Sequence, residues 1–237
     1  MAYVIPENRL ERGVCIVSAK PSATMTIATE LASTREDLLW IDNSLADVSI
    51  RSTDGSVLPR RVTGAACCFH QTMEHALAIE RLFSDPPHYG SAFALLRSLF
   101  ESLVRGLWLL HSATNRQAEN FVDKDKLKFN LDELIERVER HHPALSGGTL
   151  SRIKAGAWDA FCGFAHTGAN QIARRIRPGQ IVANYSEGEC IEVILATRFF
   201  ALLAAFEIAV LSNSEVWRQI LEKLQAIASA PTPAQLP

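Results

Sequence analysis

The sequence has little lysine, few cysteines in no framework, and no long apolar run free of charge. Six lysines stand against 18 arginines, and 26 acidic residues bring the net charge to −2. That balance excludes a chain coated with basic charge for nucleic acid, although it allows one local basic patch. The arginine bias follows from a GC-rich genome or from a need for bidentate anion contacts. The five cysteines are odd in number, Cys67 and Cys68 are adjacent, and there is no Cys-x-x-Cys. This excludes a disulfide scaffold and a zinc cluster, and reads as small core residues in a reducing compartment. The N-terminus lacks the basic start and apolar run of a signal peptide. Glu192, Arg198 and Glu207 interrupt the most apolar stretch, 190–211. A membrane span carries few or no charges, so this stretch is expected to be a buried helix of a cytoplasmic protein with no membrane partner. Phosphate-loop, Gly-x-Gly-x-x-Gly, Gly-x-Ser-x-Gly and His-Glu-x-x-His patterns are also missing, and no cofactor is expected.

What is there is a succession of helical patterns. Apolar residues make up 48% of 237 and charged residues 21%, which suits a folded chain with a substantial core. Helices are predicted over about 22–46, 61–83, 89–112, 115–121, 130–141, 149–164, 169–177, 186–211 and 214–228, separated by Pro, Gly and polar breaks. The charged run Asp123-Lys124-Asp125-Lys126 reads as a solvated connection. Residues 1–21 contain short β-like pieces, and 48–50 with 56–58 predict a small hairpin around Asp54-Gly55. The expected fold is all-α, an antiparallel bundle of about seven to nine helices with a small hairpin near the N-terminus. The expected organisation is an N-terminal extension and first helix over 1–60, a bundle core over 61–228 and a disordered tail over 229–237. Helices with broad apolar faces also suit a homodimer.

The third helix carries the clearest polar signal. Arg97, Glu101 and Arg105 recur at i, i+4, i+8 and fall within about 80° of one another on the wheel, with Trp108 on the same strip. The strip is either a solvent-facing ladder or the wall of a pocket in which Glu101 holds two guanidinium groups ready for a ligand. Arg198, deep in the apolar helix, must find a carboxylate because an isolated buried guanidinium is costly; Glu101, Glu192 and Glu74 are the candidates. A second polar cluster joins two helices at His166, Thr167 and Gly168, followed by Gln171, Arg174 and Arg175. His166 there is a proton donor or anion contact, or a structural hydrogen-bonder. A metal reading of His70, Glu74 and His75 fails on geometry, since His75 lies about 140° from His70. Of the Glu-x-x-His spacings that a di-iron bundle needs, only Glu139–His142 fits, so no metal site is expected.

The Arg97-x3-Glu101-x3-Arg105 helix, followed by His166-x4-Gln171 and Arg174-Arg175, resembles a family of uncharacterised bacterial all-helical proteins over about residues 60–212. The resemblance implies a fold and a bacterial cytosolic setting, not an activity. A more distant likeness is to the HEPN group of helical bundles of toxin–antitoxin and antiviral systems, whose RNases carry Arg-x(4–6)-His. Here Arg81/His88, Arg105/His111 and Arg137/His142 have that spacing.

Together these observations predict a regulatory or binding module, tied by its resemblances to stress or phage defence. A metal-independent RNase is the first alternative, with Arg97, Arg105 or Arg174 holding phosphate and His166 as general acid–base, so that RNA is the partner. The second is a sensor of a small anion or nucleotide bound at Arg97, Glu101 and Arg105. The named site residues are therefore His166, Arg97 and Glu101 for catalysis, with Arg105, Gln171, Arg174 and Arg198 for ligand binding.

Overall fold

The computed structural model describes residues 25–51 and 56–228; the β-like pieces before residue 22 and the tail from 229 lie outside them. Among the described residues nine helices follow one another: α1 (Ile27–Leu45), α2 (Arg60–Leu82), α3 (Tyr89–His111), α4 (Asn115–Lys124), α5 (Leu131–His141), α6 (Thr149–Ala165), α7 (Ala169–Ala173), α8 (Glu187–Leu211) and α9 (Trp217–Ala228). The fold is an all-α bundle, as the periodicity predicts. Side-chain caps set many of the starts. Thr26, Thr114, Asn130 and Ser186 each accept on the side chain from the backbone N–H three residues on and donate their own backbone N–H to that residue's side chain, satisfying two otherwise orphaned N–H groups apiece.

One local prediction moves. The seventh helix stops at Ala173, and Ile176–Arg177 pairs antiparallel with Gln180–Ile181 across Pro178-Gly179. Gly179 has φ +73°, the conformation that the third position of a Pro-Gly turn requires and glycine supplies without strain. This ribbon is the small hairpin of the structure. Residues 48–50 and 56–58 form no strand, and the turn between them is not described.

The core runs along α3 and α8. On α3, Leu96, Leu99, Phe100, Leu103 and Leu107 are sealed off from water; Phe100 packs its ring against Phe161 of α6 and Phe200 of α8. Close approach of α2 to α3 depends on Gly106, where a Cβ would stand 2.6 Å from the Phe69 ring. The α8 helix is apolar on all sides, and among the described residues it is the one helix long and apolar enough to cross a membrane. Most of it is enclosed by the bundle, against α1, α2, α3 and α9. That enclosure agrees with the buried helix read from its three interrupting charges. Cys67, Cys68, Cys162 and Cys190 are all free thiols, and burial pushes Cys68 up to about 11 against the opposing charge of Arg105.

Candidate functional site

The structure separates the predicted polar residues into distinct groups. The first is the ladder on α3. Arg97 Nε donates to Glu101 Oε1 at 2.8 Å and Arg105 Nη2 to Glu101 Oε2 at 2.6 Å, so one carboxylate serves both guanidiniums, each with one of its oxygens. The strip is half-buried in the groove between α3 and α6: Arg97 lies 5.1 Å over the Trp158 ring, which also faces Lys154. Burial pushes the Glu101 carboxyl up, but hydrogen bonds and charge from Arg97 and Arg105 more than offset it, leaving the group below the usual carboxylate range.

His166, at the C-terminus of α6, meets this ladder, with the Arg97 guanidinium hydrogen-bonded to its Nε2. A guanidinium only donates, so Nε2 accepts and the imidazole carries its hydrogen on Nδ1. The junction is held tightly by Gly168, whose N–H reaches Gly163 O at 2.7 Å and whose missing Cβ would lie 3.0 Å from the same carbonyl.

The other predicted residues stand elsewhere. Gln171 Nε2 donates to Gly90 O at 3.1 Å. Arg174 pairs with Glu189 and lies 5.3 Å over the Phe164 ring, and Glu189 also accepts from the Ser186 backbone and hydroxyl. Burial raises the Glu189 carboxyl, yet Arg174 and Ser186 bring it below its ordinary value. Arg198 finds Asp37 of α1, Nε to Oδ2 2.5 Å, and Lys223 of α9 takes Oδ1 at 2.6 Å. The partner of Arg198 is therefore none of the three candidates named from the sequence. The docking of α1 and α9 against α8 creates this contact across 161 residues. His70 and Glu74 are exposed on α2, and Glu139 bonds the N–H and hydroxyl of Ser151.

Sequence reasoning missed two features at the far end of α3. The first is a cluster of His111, His142 and Glu207. His111 Nε2 lies 3.0 Å from Glu207 Oε2, His142 Nε2 lies 2.9 Å from Oε1, and the two rings meet edge-on with centroids 4.6 Å apart. Burial raises the Glu207 carboxyl, but the hydrogen bonds and charge of the two imidazoles outweigh it and lower the group overall. The signal that could have found it is Glu207 itself, which like Arg198 sits in an apolar run and needs a partner.

The second is a cleft of about 420 Å³ between the end of α3, α4 and the connection to α5. Its floor is Trp108, 1% exposed and gripped edge-on by Phe121 and Phe129. Its walls carry Arg116, Lys126 and Lys128 and the side chains of Thr114, Gln117 and Asn120, and among the described residues no carboxylate. The Trp108 indole Nε1 is buried and has no hydrogen-bond acceptor among the described residues. A comparable hollow beside α5, about 450 Å³, is lined instead by Asp132, Glu133 and Glu136 with one lysine.

With α3 and α8 packed at the centre of an all-helical bundle, this chain falls among the all-α proteins. The sequence model of a family of unknown function, DUF6988, matches residues 69–230, and the chain belongs to that family. The match takes in every group of polar residues above except Asp37. No curated protein and no solved structure matches, and the HEPN likeness has no counterpart in these comparisons.

Proposed function

We propose that this protein is a binding module for a small anion with a flat apolar part, of the nucleotide type, held in the cleft over Trp108. One observation carries the reading: among the described residues three cations and no acid surround an aromatic floor whose buried N–H lacks an acceptor. Cations at the rim attract and hold the charged group, the half-exposed Leu127 and Phe129 above the buried Trp108 meet the apolar part, and the amides of Gln117 and Asn120 fix orientation. The ladder on α3 is less suited to this task, because Glu101 already engages both guanidiniums.

The test is thermal unfolding with inorganic phosphate, AMP and ATP, repeated with the Lys126→Glu/Lys128→Glu double variant. Both lysines are exposed, so the fold is not at stake. A ligand present at 100 times its Kd adds about 2.7 kcal/mol to the native state, so a saturating nucleotide raises the midpoint and the double variant loses the rise. A response to phosphate alone keeps the anion site and removes the aromatic floor from it. No rise with any of the three, or a rise that survives the double substitution, overturns the proposal.

A second reading keeps the RNase at Arg97 and His166, supported by their direct contact. It predicts cleavage of total RNA in EDTA by the wild-type chain and none by His166→Ala.

A further inference from the structure

Among the described residues, four buried or half-buried acids share a pattern from which Glu207 departs. Asp37 has Arg198 and Lys223, Glu80 has Arg35, Glu101 has Arg97 and Arg105, and Glu189 has Arg174. Each carboxylate is neutralised inside the hydrogen bond by a side chain that is permanently cationic at neutral pH. Glu207 is 2% exposed and meets two imidazoles instead. An imidazole can hydrogen-bond a carboxylate in either protonation state but cancels its charge only when protonated, and a buried charge left uncancelled is costly.

The three side chains come from three elements: His111 from the last turn of α3, His142 from the residue that caps α5, and Glu207 from α8. Their donor atoms all lie within 4.8 Å of one another. Around a tetrahedral ion with bonds of about 2.0–2.1 Å, ligand atoms are about 3.3 Å apart. The three ligand atoms must therefore draw in from within 4.8 Å of one another to that spacing, and the His–Glu separations of 2.9 and 3.0 Å, one to each carboxylate oxygen, place both rings facing the carboxylate already. His142 Nδ1 has no partner among the described residues, so no second hydrogen bond locks this ring's tautomer. Its proton can pass to Nδ1 when Nε2 becomes a ligand. His142 and Glu207 are enclosed, whereas the His111 side chain is 26% exposed and gives the group an opening to solvent.

We infer that His111, His142 and Glu207 form a binding site for a divalent transition-metal ion of the zinc type. Two imidazole nitrogens and one carboxylate oxygen suit Zn²⁺, Fe²⁺ or Co²⁺, whereas Mg²⁺ and Ca²⁺ prefer all-oxygen sets. The ion supplies the positive charge that the other buried acids receive from arginine or lysine. Three protein ligands leave at least one position for water or a small molecule on the His111 side. This inference is independent of the cleft over Trp108.

The full chain, stripped with EDTA and desalted, is titrated with Zn²⁺ by calorimetry and with Co²⁺ by visible absorption. One equivalent per chain with the d–d bands of a low-coordinate Co²⁺ site is expected, together with a higher melting midpoint. His111→Ala, at the most exposed ligand, weakens binding by about 100-fold or more, as loss of one of three ligands requires. Glu207→Gln does the same if it folds; if it does not, the His111 variant decides alone. His70→Ala, His141→Ala and Cys67→Ser, at exposed donors elsewhere, leave the affinity unchanged. Absence of saturable binding, or binding untouched by His111→Ala, overturns the inference.

Discussion

Asp37 and Glu207 are buried to the same degree, each 2% exposed, yet they are served in opposite ways. Asp37 sits between Arg198 and Lys223, which bring fixed positive charge from α8 and α9. Glu207 sits between two imidazoles whose charge depends on what binds them. The first is complete as folded, and its contacts tie α1, α8 and α9 together. The second is held by hydrogen bonds but lacks a lasting counter-charge. Within one protein the difference separates an acid that serves the architecture from one with capacity left for a ligand.

The sharpest way to break this comparison is to remove the counter-charges of Asp37. Arg198→Leu with Lys223→Met leaves a buried carboxylate alone and is expected to cost about 3–5 kcal/mol in urea unfolding. Glu207→Gln, measured at pH 8 in EDTA, is expected to cost no more than about 1 kcal/mol, because the amide accepts from one imidazole and donates to the other after a tautomer change. Equal costs for the two would show that Glu207 is as firmly charge-paired as Asp37.

The acid limb of stability provides a second, smaller contrast. Glu101 is held below its ordinary value of 4.5 in the folded chain, so its contribution is complete above that pH and disappears as pH falls through the lowered folded value. Urea midpoints between pH 6 and pH 3 should therefore fall less steeply in Glu101→Gln than in wild type. An unchanged slope would mean that the ladder on α3 adds nothing to acid stability.

The smallest effect is expected at the surface. Arg140 and Glu136 form an exposed i, i+4 pair on α5, and Arg140→Ala should change stability by no more than about 0.5 kcal/mol. A larger loss would show that pairing itself, and not burial, sets the scale in this protein.

The helices were legible in the sequence because apolar residues recur at the helical period and Pro, Gly or capping residues mark the ends. The third helix runs Tyr89–His111 against an expected span of about 89–112, and α8 Glu187–Leu211 against about 186–211. The Arg97, Glu101 and Arg105 ladder was legible for the same reason, since i, i+4 neighbours meet within one helix. Its contact with His166 was not legible; the sequence joined the two only in the RNase alternative. Partners across helices were not legible. Arg198 needed an acid, but the sequence offered 26 acidic residues and no means of choosing Asp37. The His111, His142 and Glu207 cluster was hidden more deeply, because its members lie 31 and 65 residues apart and become neighbours only when α3, α5 and α8 pack. Gln171 and Arg174 were grouped with His166 by sequence proximity, whereas the backbone of Gly90 and the carboxylate of Glu189 draw them away.

Arg198 and Glu207 are nine residues apart on α8, which places them about 14 Å apart along its axis and on opposite sides of it. One side is fastened to α1 and α9, the other to α3 and the end of α5. A greasy rod could otherwise spin or slide among equally greasy neighbours at little cost. Two polar bolts driven in from opposite directions leave it one angle and one height, because any turn that kept one seated would pull the other out.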